Sequence, residues 1–546
     1  MLSTMQDGPL SIGQLLRYGT DIHGGKEVVT WTGEGGRREN YAETGRNAAR
    51  LANALRSLGV NGDERVGTAM WNNNEHLVAY LAIPAMGAVL HTLNIRLPAD
   101  QLGYIANHAD DRVVLLDASL APLFAKVLPK LETTKHVVVV GGDASAVDAP
   151  SGIQVHSYQQ LLDAQSDEFD WPTVDERRAA AMCYTSGTTG NPKGVVYSHR
   201  SIWLHSMQVC MTDGMNLAES DIGLVIVPMF HAMSWGLPYA SMMIGASMIM
   251  PDRFLQPEPI AKIMAEERPT MTAAVPTIWQ GLLAHLDANP QDISHLRQAV
   301  VGGSACPPSL MRAFDERYNL DVIQAWGMTE TSPLGTVAIP PSSATGEKRW
   351  EYRSSQGHFP ATVRARLVDD DGSEVAWDGE SVGELEVTGP WVAGSYYSPE
   401  SDGAVDAEKF DNGWLRTGDV GNITADGYLR LTDRAKDVIK SGGEWISSVD
   451  LENQVMAHPS VAEAAVVGVP DPQWDERPLV AVVLADGTSA TPDELRDFLT
   501  DKVAKWQLPD SWVFVDEVPK TSVGKFDKKR IRAQHKAGEL DVKRSG

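Results

Sequence analysis

The stretch Thr185-Ser186-Gly187-Thr188-Thr189-Gly190-Asn191-Pro192-Lys193-Gly194 decides the fold of this 546-residue chain. Its glycines let backbone N–H groups turn toward an anion without obstruction by a Cβ atom, and its hydroxyls and lysine add further anion-binding groups. An apolar run ending at Tyr184 precedes it and Val195-Val196-Tyr197 follows it, so both flanks are predicted to be strands. We interpret the stretch as a loop that binds the phosphates of a nucleoside triphosphate.

The position of the lysine distinguishes this loop from a Walker loop. A Walker lysine begins a helix and is followed by Ser or Thr. Lys193 is instead followed by Gly194 and two valines, which favour a strand. The alternative is a flexible Gly/Thr hairpin loop, but the consistent chemistry of the whole stretch argues against it.

The composition is that of a large, acidic enzyme. Hydrophobic residues make up 43% of the chain, which is enough for a large core. Asp and Glu total 72 against 47 Lys and Arg, a net charge of -25. This charge argues against nucleic acid or an anionic membrane as the main partner. An anionic substrate must therefore be attracted by local cations.

Cysteine spacing and hydropathy indicate the compartment. Cys183, Cys210 and Cys306 have the spacing of neither a disulfide framework nor a metal site, which favours a reducing compartment. No segment reaches the roughly 18 to 20 apolar residues of a membrane span, and the first residues lack the basic and apolar regions of a signal peptide. We expect a cytoplasmic protein with no integral membrane association.

The pattern predicts an α/β fold. Helices are expected over 40–58 and 76–87, and strands over 65–70, 113–116 and 136–140. This alternation is typical of layered parallel sheets with helices packed against them. A region rich in strands and turns, with a hairpin turn at 369–372, predicts a β-rich subdomain over about 360–430.

A domain boundary is predicted between residues 433 and 434. After it, a new α+β pattern begins, with helices expected over 451–457 and 492–502 and strands over 461–469 and 479–484. We therefore expect a large N-terminal domain, 1–433, and a small mobile C-terminal domain, 434–546. The last four residues are expected to be a frayed tail.

Residues 184–194 resemble the phosphate loop of the adenylate-forming superfamily, which includes acyl-CoA synthetases, firefly-type luciferases and the adenylation domains of peptide synthetases. Residues 324–331, Gln-Ala-Trp-Gly-Met-Thr-Glu-Thr, resemble its second nucleotide segment, in which an aromatic side chain stacks beside adenine and a Glu binds magnesium. The resemblance implies these roles for Trp326 and Glu330, with Thr185 as a further metal ligand. An indole suits adenine and a carboxylate suits a hard cation. The alternative is a core tryptophan and a solvated glutamate.

Two further motifs complete the nucleotide site by resemblance. Residues 412–419 match the segment whose Asp419 accepts hydrogen bonds from ribose, and Arg434 completes that grip. Gly302-Gly303-Ser304 would lie beside adenine and the acyl group, although a tight turn would have a similar sequence. The implied nucleotide-binding residues are Thr185, Ser186, Gly187, Thr188, Thr189, Gly190, Lys193, Gly302, Gly303, Ser304, Ala325, Trp326, Gly327, Met328, Thr329, Asp419, Arg434 and Lys525.

The C-terminal motifs imply a moving domain. Lys436 matches the family's hinge position, for which a solvated boundary lysine is the alternative. The implied CoA-binding residues are Lys440, Gly442, Gly443, Glu444 and Trp445. Residues 519–526 resemble the motif that carries the adenylation lysine, here Lys525, unless this cluster is only a solvated basic face.

The acyl site is implied by residues 228–236, which resemble the family's substrate-gating segment. His231 would lie beside the carboxylate or gate the tunnel, and Trp235 would form the pocket wall with Gly302 and Met328. A lone histidine before a helix is otherwise more often structural. Met233 and Leu334 add to the apolar character expected of the cavity.

The implied activity is that of an acid:CoA ligase. A small-molecule carboxylate would attack Mg²⁺-bound ATP, and CoA would then displace AMP, with Lys525, Thr185, Glu330 and His231 as catalytic residues. The motifs resemble the branch of medium- and long-chain fatty acid:CoA ligases and 3-methylmercaptopropionate:CoA ligases, and the residues do not separate these substrates. Loading of a carrier protein, a luciferase-like oxygenase and a noncatalytic AMP- or acyl-binding regulator are the alternatives. A homodimer is a further expectation.

Overall fold

The computed structural model describes residues 1, 3–185, 191–369, 371–404, 406, 408–434, 436–441, 444–521 and 524–545, of which 401–404 and 444–445 are described by their backbone alone. The α-helices are Ile12–Ile22, Tyr41–Ser57, Asn74–Ala85, Ala99–Ala109, Ala121–Phe124, Tyr158–Asp163, His199–Cys210, Leu237–Ile244, Pro257–Glu267, Pro276–Ala288, Pro308–Tyr318, Gly346–Arg353, Ser448–Met456, Pro492–Leu499 and Lys528–Ala537. Short 3-10 helices are Ala118–Leu120, Leu128–Lys130, Ala144–Ala146, Ala232–Gly236, Thr329–Thr331 and Lys505–Gln507.

The first sheet carries the phosphate loop at its edge. Its strand order is Gln154–Ser157, His136–Val140, Asp111–Asp117, Arg65–Ala69, Val89–Thr92, Ala179–Tyr184, Gly194–Ser198. Only the last pair is antiparallel, with Tyr184 opposite Gly194. Both predicted flanking strands are therefore confirmed, and the loop connects them.

The second sheet combines the other parallel strands with the β-rich region. Its order is Arg364–Val368, Gly383–Thr388, Trp414–Ile423, Tyr428–Arg434, Gly357–His358, Leu334–Val337, Val322–Gly327, Gln298–Val301, Met271–Ala274, Ile222–Leu224, Ser247–Met250, Glu27–Trp31, Gly36–Asn40, with Phe410–Asp411 paired to Trp414–Ile423. Pairing is parallel from Val322–Gly327 to Glu27–Trp31 and antiparallel elsewhere. The β-rich strands thus continue the parallel sheet, and Val322–Gly327 joins the two parts.

The third sheet is formed by the C-terminal residues. Its order is Glu444–Ile446, Ile439–Ser441, Asp475–Leu484, Ser511–Phe514, Lys543–Arg544, with Val461–Asp471 paired to Asp475–Leu484. Alternating residues of the long strands enter two separate cores, one against helices Ser448–Met456 and Pro492–Leu499 and the other against Lys528–Ala537. The expected frayed tail is wrong for Lys543–Arg544, because these residues pair with Ser511–Phe514. Tyr396–Ser398 and Ser401–Ala404 form a separate two-stranded ribbon.

Local chemistry explains several element boundaries. Asn40 and Glu43 form a capping box at the start of helix Tyr41–Ser57, which lies within the predicted range. The helix predicted over 492–502 begins with a capping box at Thr491 but ends at Leu499. In the described part of the chain, no helix combines the length and apolar character needed to cross a bilayer.

Candidate active site

The two ends of the predicted phosphate loop line a cavity of about 360 Å³. The backbone N–H of Thr185 donates to the Lys193 carbonyl (2.9 Å), and the Lys193 N–H donates to Thr185 Oγ1 (3.2 Å). Thr185, Asn191 and Lys193 line the cavity, whereas the predicted phosphate-binding residues 186–190 lie outside the described residues. The ends of the loop are thus held together by their own backbone and by one hydroxyl.

Among the described residues, the Lys193 ammonium contacts one carboxylate and one aromatic ring. Its Nζ lies 2.5 Å from Asp406 Oδ2 and 4.7 Å from the centre of the Tyr396 ring. The Lys193 side chain is 48% exposed, so this ion pair is screened by solvent. Lys193 is therefore available for phosphate, but an incoming phosphate would have to compete with Asp406.

Glu330 lies on the cavity wall at the turn that follows strand Val322–Gly327. Its carboxylate is buried, and Oε1 accepts a hydrogen bond from the Tyr396 hydroxyl at 2.5 Å. Oε2 has no hydrogen-bond partner among the described residues. Burial and the neighbouring Glu330 carboxylate raise the pKa of Tyr396, so its hydroxyl stays protonated and donates.

The residues expected at adenine and ribose form one connected group. Trp326 Nε1 donates to Asp419 Oδ2 (2.8 Å), and Arg434 Nε lies 3.1 Å from Asp419 Oδ1. Asp419 and Arg434 are opposite each other on paired antiparallel strands. Trp326 and Arg434 line the cavity and Asp419 lies behind them, where its carboxylate raises the pKa of Arg434.

The paired glycines bring the backbone close to two side chains. A Cβ atom on Gly302 would lie 2.9 Å from the Ala325 carbonyl and 3.1 Å from the Trp235 ring, so only glycine fits. Gly303 has a φ of +86° and its position lies near the Lys525 side chain. Both glycines line the cavity, whereas Ser304 is exposed and is not among the lining residues.

The predicted substrate-gating segment, residues 228–236, contains a left-handed turn. Met233, Ser234 and Trp235 have φ values of +53°, +52° and +53°, which cost each L-residue roughly 1–2 kcal/mol. The Ser234 hydroxyl stabilises the turn by donating to the Val227 carbonyl (2.7 Å). This turn places Trp235 in the cavity wall and directs Met233 instead toward Cys183. Strain of this kind is concentrated at functional sites.

His231 begins this turn and is half-buried in the cavity wall. Burial lowers its pKa to about 4, with further contributions from the positive charges of Lys525 and Arg96. The imidazole is therefore neutral near pH 7 and can orient a carboxylate by a hydrogen bond, but it adds no charge.

Lys525 comes from the C-terminal part of the chain and reaches the same cavity as Lys193 and Glu330. Its loop is closed by two bonds to Thr521: the Thr521 N–H donates to the Lys525 carbonyl (2.7 Å), and the Lys525 N–H donates to Thr521 Oγ1 (3.2 Å). Desolvation, with Arg434 as the next cause, lowers the pKa of Lys525 to about 8. The ammonium form still predominates near pH 7.

The hinge residue Lys436 and the implied CoA-binding residue Lys440 lie outside the cavity. Lys440 is exposed on the hairpin Ile439–Ser441/Glu444–Ile446 and pairs in register with Trp445. Gly442 and Gly443 lie outside the described residues. Lys436 is exposed, and its carbonyl accepts from Arg532 (3.3 Å). Neither Lys436 nor Lys440 is among the described residues that line the cavity.

Sequence reasoning missed four polar residues of this site. Arg96, Thr277, Tyr396 and Lys409 all line the cavity. Lys409 donates to the Thr417 carbonyl (3.1 Å), and burial lowers its pKa although Glu330 and Asp419 oppose that shift. No local pattern distinguishes these residues from surface side chains, because they face the cavity only through long-range folding.

Comparisons with known proteins agree with this geometry. A family model described as AMP-binding enzyme matches residues 20–397, and one described as AMP-binding enzyme C-terminal domain matches residues 450–525. The chain is 43% identical to a 3-methylmercaptopropionyl-CoA ligase of Ruegeria lacuscaerulensis, covering 98% of this chain and 99% of that protein. It is 44% identical to a long-chain-fatty-acid–CoA ligase of Thermus thermophilus, covering 98% and 97%. The crystal structure of the anthranilate CoA ligase AuaEII in complex with anthranoyl-AMP superimposes with a TM-score of 0.87 at 25% identity, covering 99% of this chain and 100% of that one.

Proposed function

This chain belongs to the AMP-binding enzyme family, the adenylate-forming superfamily that its motifs resemble, and from this we propose that it is an ATP-dependent acid:CoA ligase. The reaction has two steps: a carboxylate and ATP give an acyl-adenylate and pyrophosphate, and CoA then gives the thioester and AMP. The observation that carries the proposal is the meeting of Lys525 with Lys193, Glu330 and Arg434 in one cavity.

In the first step, two anions that repel each other must be aligned. We assign Lys525 to the bridge between the attacking carboxylate and the α-phosphate, because its side chain lies beside Gly303 and its positive charge acts on His231. Lys193 balances the developing charge of pyrophosphate once phosphate has displaced Asp406. The neutral His231 orients the carboxylate. Such preorganised charges act without reorganisation in the transition state.

A magnesium site fits the residues present. Among the described residues, no group of three or more His, Cys, Asp or Glu side chains is arranged to hold a metal by itself. Mg²⁺ commonly uses one or two carboxylates together with substrate phosphates. Glu330 Oε2 and the Thr185 hydroxyl would hold Mg²⁺ with the phosphates, and the ion would supply charge neutralisation at the phosphate oxygens.

For the second step we propose a rotation of the C-terminal domain, 434–546, about Lys436. Strand Tyr428–Arg434 belongs to the second sheet and Ile439–Ser441 to the third, so the connection between them is short. The arrangement with Lys525 in the cavity suits adenylation. A second arrangement would bring the face of Lys440, Gly442, Gly443, Glu444 and Trp445 to the pantetheine path.

We propose that the substrate is an apolar acid. Besides Trp235, the cavity is lined by further apolar side chains, among them Met215, Ile226, Val227, Leu255, Ile278 and Leu334. Relatives of nearly equal identity carry names of different substrates, so identity alone does not choose between a long-chain fatty acid and 3-methylmercaptopropionate. Medium- and long-chain acids are our first choice, and the thioether acid is the alternative.

The test is a pyrophosphate-release assay over acids of graded chain length and 3-methylmercaptopropionate, with and without CoA. We expect acid-dependent release, and CoA-dependent thioester detected by mass spectrometry. Replacing CoA by a holo-carrier protein tests the other acceptor, and thioester on that protein alone would overturn the CoA assignment. A cytoplasmic location and a homodimer stay predictions, the latter open to light scattering.

A further inference from the structure

Tyr396 contacts both Glu330 and Lys193 of the predicted triphosphate site. None of the motifs identified in the sequence contains this tyrosine. Its hydroxyl donates to Glu330 Oε1 at 2.5 Å, and the two side chains are buried. The same ring lies 4.7 Å from Lys193 Nζ and packs edge-to-face against Phe410, with ring centres 5.1 Å apart. One side chain thus connects the carboxylate assigned to the metal with the lysine assigned to phosphate.

The segment that carries Tyr396 also holds the backbone around Glu330. The Ala393 N–H donates to the Glu330 carbonyl (2.7 Å), and Ser332 Oγ donates to the Trp391 carbonyl (2.7 Å). Trp391 Nε1 donates in turn to the Leu334 carbonyl (2.9 Å). Residues 391–396 therefore hold the turn at Glu330 itself and at Ser332 and Leu334 on its C-terminal side.

The hydroxyl bond also selects which carboxylate oxygen faces a ligand. Oε1 is occupied by Tyr396, whereas Oε2 has no hydrogen-bond partner among the described residues. A hydrogen bond to a carboxylate is short and roughly twice as strong as a neutral one, so it restrains rotation of the group. Groups that hydrogen-bond to metal ligands orient them, and their loss typically costs 10- to 100-fold in metal affinity.

We propose that Tyr396 is a positioning residue that holds Glu330 Oε1 so that Oε2 binds the divalent cation of the nucleotide. The inference rests on the proposed function, because it takes Glu330 as the metal ligand. It assigns Tyr396 a task that a merely structural tyrosine lacks, namely setting the metal dependence of nucleotide binding.

The test is calorimetry of full-length protein with an ATP analogue that has a methylene bridge between its α and β phosphates, with and without Mn²⁺. Tyr396→Phe keeps the ring against Lys193 and Phe410 but removes the hydroxyl. We expect its Mn²⁺ affinity in the presence of the analogue to fall about tenfold, or ~1.4 kcal/mol, with metal-free nucleotide affinity unchanged. Tyr397→Phe is the matched control, since the described contacts of that ring are with His108 and not Glu330. It should behave as the parent.

A double-mutant cycle separates this inference from the function it rests on. In Glu330→Gln, Mn²⁺ affinity should fall, and adding Tyr396→Phe should then have little further effect. If Glu330→Gln weakens Mn²⁺ binding but Tyr396→Phe does not, the positioning role is overturned and the metal site stands. If a folded Tyr396→Phe protein loses Mn²⁺ affinity and metal-free nucleotide affinity equally, the positioning role is also overturned. If neither variant loses metal dependence, the proposed metal site itself is contradicted.

Discussion

The indole N–H of Trp326 donates to Asp419 Oδ2 at 2.8 Å, so the side chain expected beside adenine supports the carboxylate expected at ribose. Arg434 holds the other oxygen at 3.1 Å. Because a carboxylate has more acceptor sites than these two donors use, Asp419 can still accept from ribose hydroxyls. The side chains predicted to bind base and sugar are therefore linked by a hydrogen bond.

Replacing Trp326 by Phe should weaken AMP binding about tenfold. The change keeps an aromatic face but leaves the buried Asp419 with one donor fewer, and a hydrogen bond to a charged group contributes roughly 1.5–3 kcal/mol. Calorimetry of AMP with Trp326→Phe, Asp419→Asn and the double variant measures the coupling. Strictly additive losses would contradict a coupled pair.

Replacing Lys525 by Ala should lower acid-dependent ATP–pyrophosphate exchange by about 10²- to 10³-fold, the scale of one preorganised charge donor. Thioester formation from supplied acyl-adenylate should persist, because the proposed role of Lys525 is confined to the first step. Lys529→Ala, in the following helix, is a control outside the lining residues. Equal losses in both half-reactions would instead indicate a structural lysine.

The rate of adenylation should decline at alkaline pH. The pKa of Lys525 is lowered to about 8, so its charge is present below that pH and is lost as pH rises through it. The kcat/KM for the acid in the exchange reaction, which reports groups of the free enzyme, should therefore fall above pH 8. Lys525→Arg keeps its charge over this range and should be slower but without this decline. If Lys525→Arg shows the same decline above pH 8, a group other than Lys525 causes the decline.

Replacing Trp235 by Ala should change the preference for the chain length of the acid. Its ring lies against Gly302 in the cavity wall, so Trp235→Ala opens space in which each newly buried methylene contributes up to roughly 0.8 kcal/mol. A shift of kcat/KM toward longer or bulkier acids is expected. Trp377→Ala removes a tryptophan that is 41% exposed and serves as the control. An unchanged profile in folded Trp235→Ala would remove this residue from the acyl site.

Replacing Lys436 by Pro should separate the half-reactions. Proline fixes φ near roughly -65° and should trap one orientation of the C-terminal domain. With Lys525 in the cavity, we expect adenylation to be retained and thioester formation to be lost. Single-turnover measurement of each step distinguishes this from general damage. Parent rates in both steps would rule out rotation about this residue.

The sequence by itself determined the strands that flank residues 185–193, and it predicted the phosphate-binding loop, the Gly302-Gly303 loop and the motif around Lys525. Each depends on a local pattern, such as β-branched residues beside a glycine-rich loop, so neighbouring residues suffice to predict it. Trp326, Glu330, Arg434 and Lys525 lie at the cavity as those motifs indicated.

Only the tertiary structure decided how these residues are supported. Tyr396 and Glu330 are 66 positions apart, and Trp326 and Asp419 are 93 positions apart, so no local pattern couples them. The left-handed turn at Met233–Trp235, where Met233 contacts Cys183, and the strand at Lys543–Arg544 likewise involve segments that are distant in sequence. Long-range packing can override local preference, because burial and hydrogen bonding across the fold outweigh the small energies of local propensity.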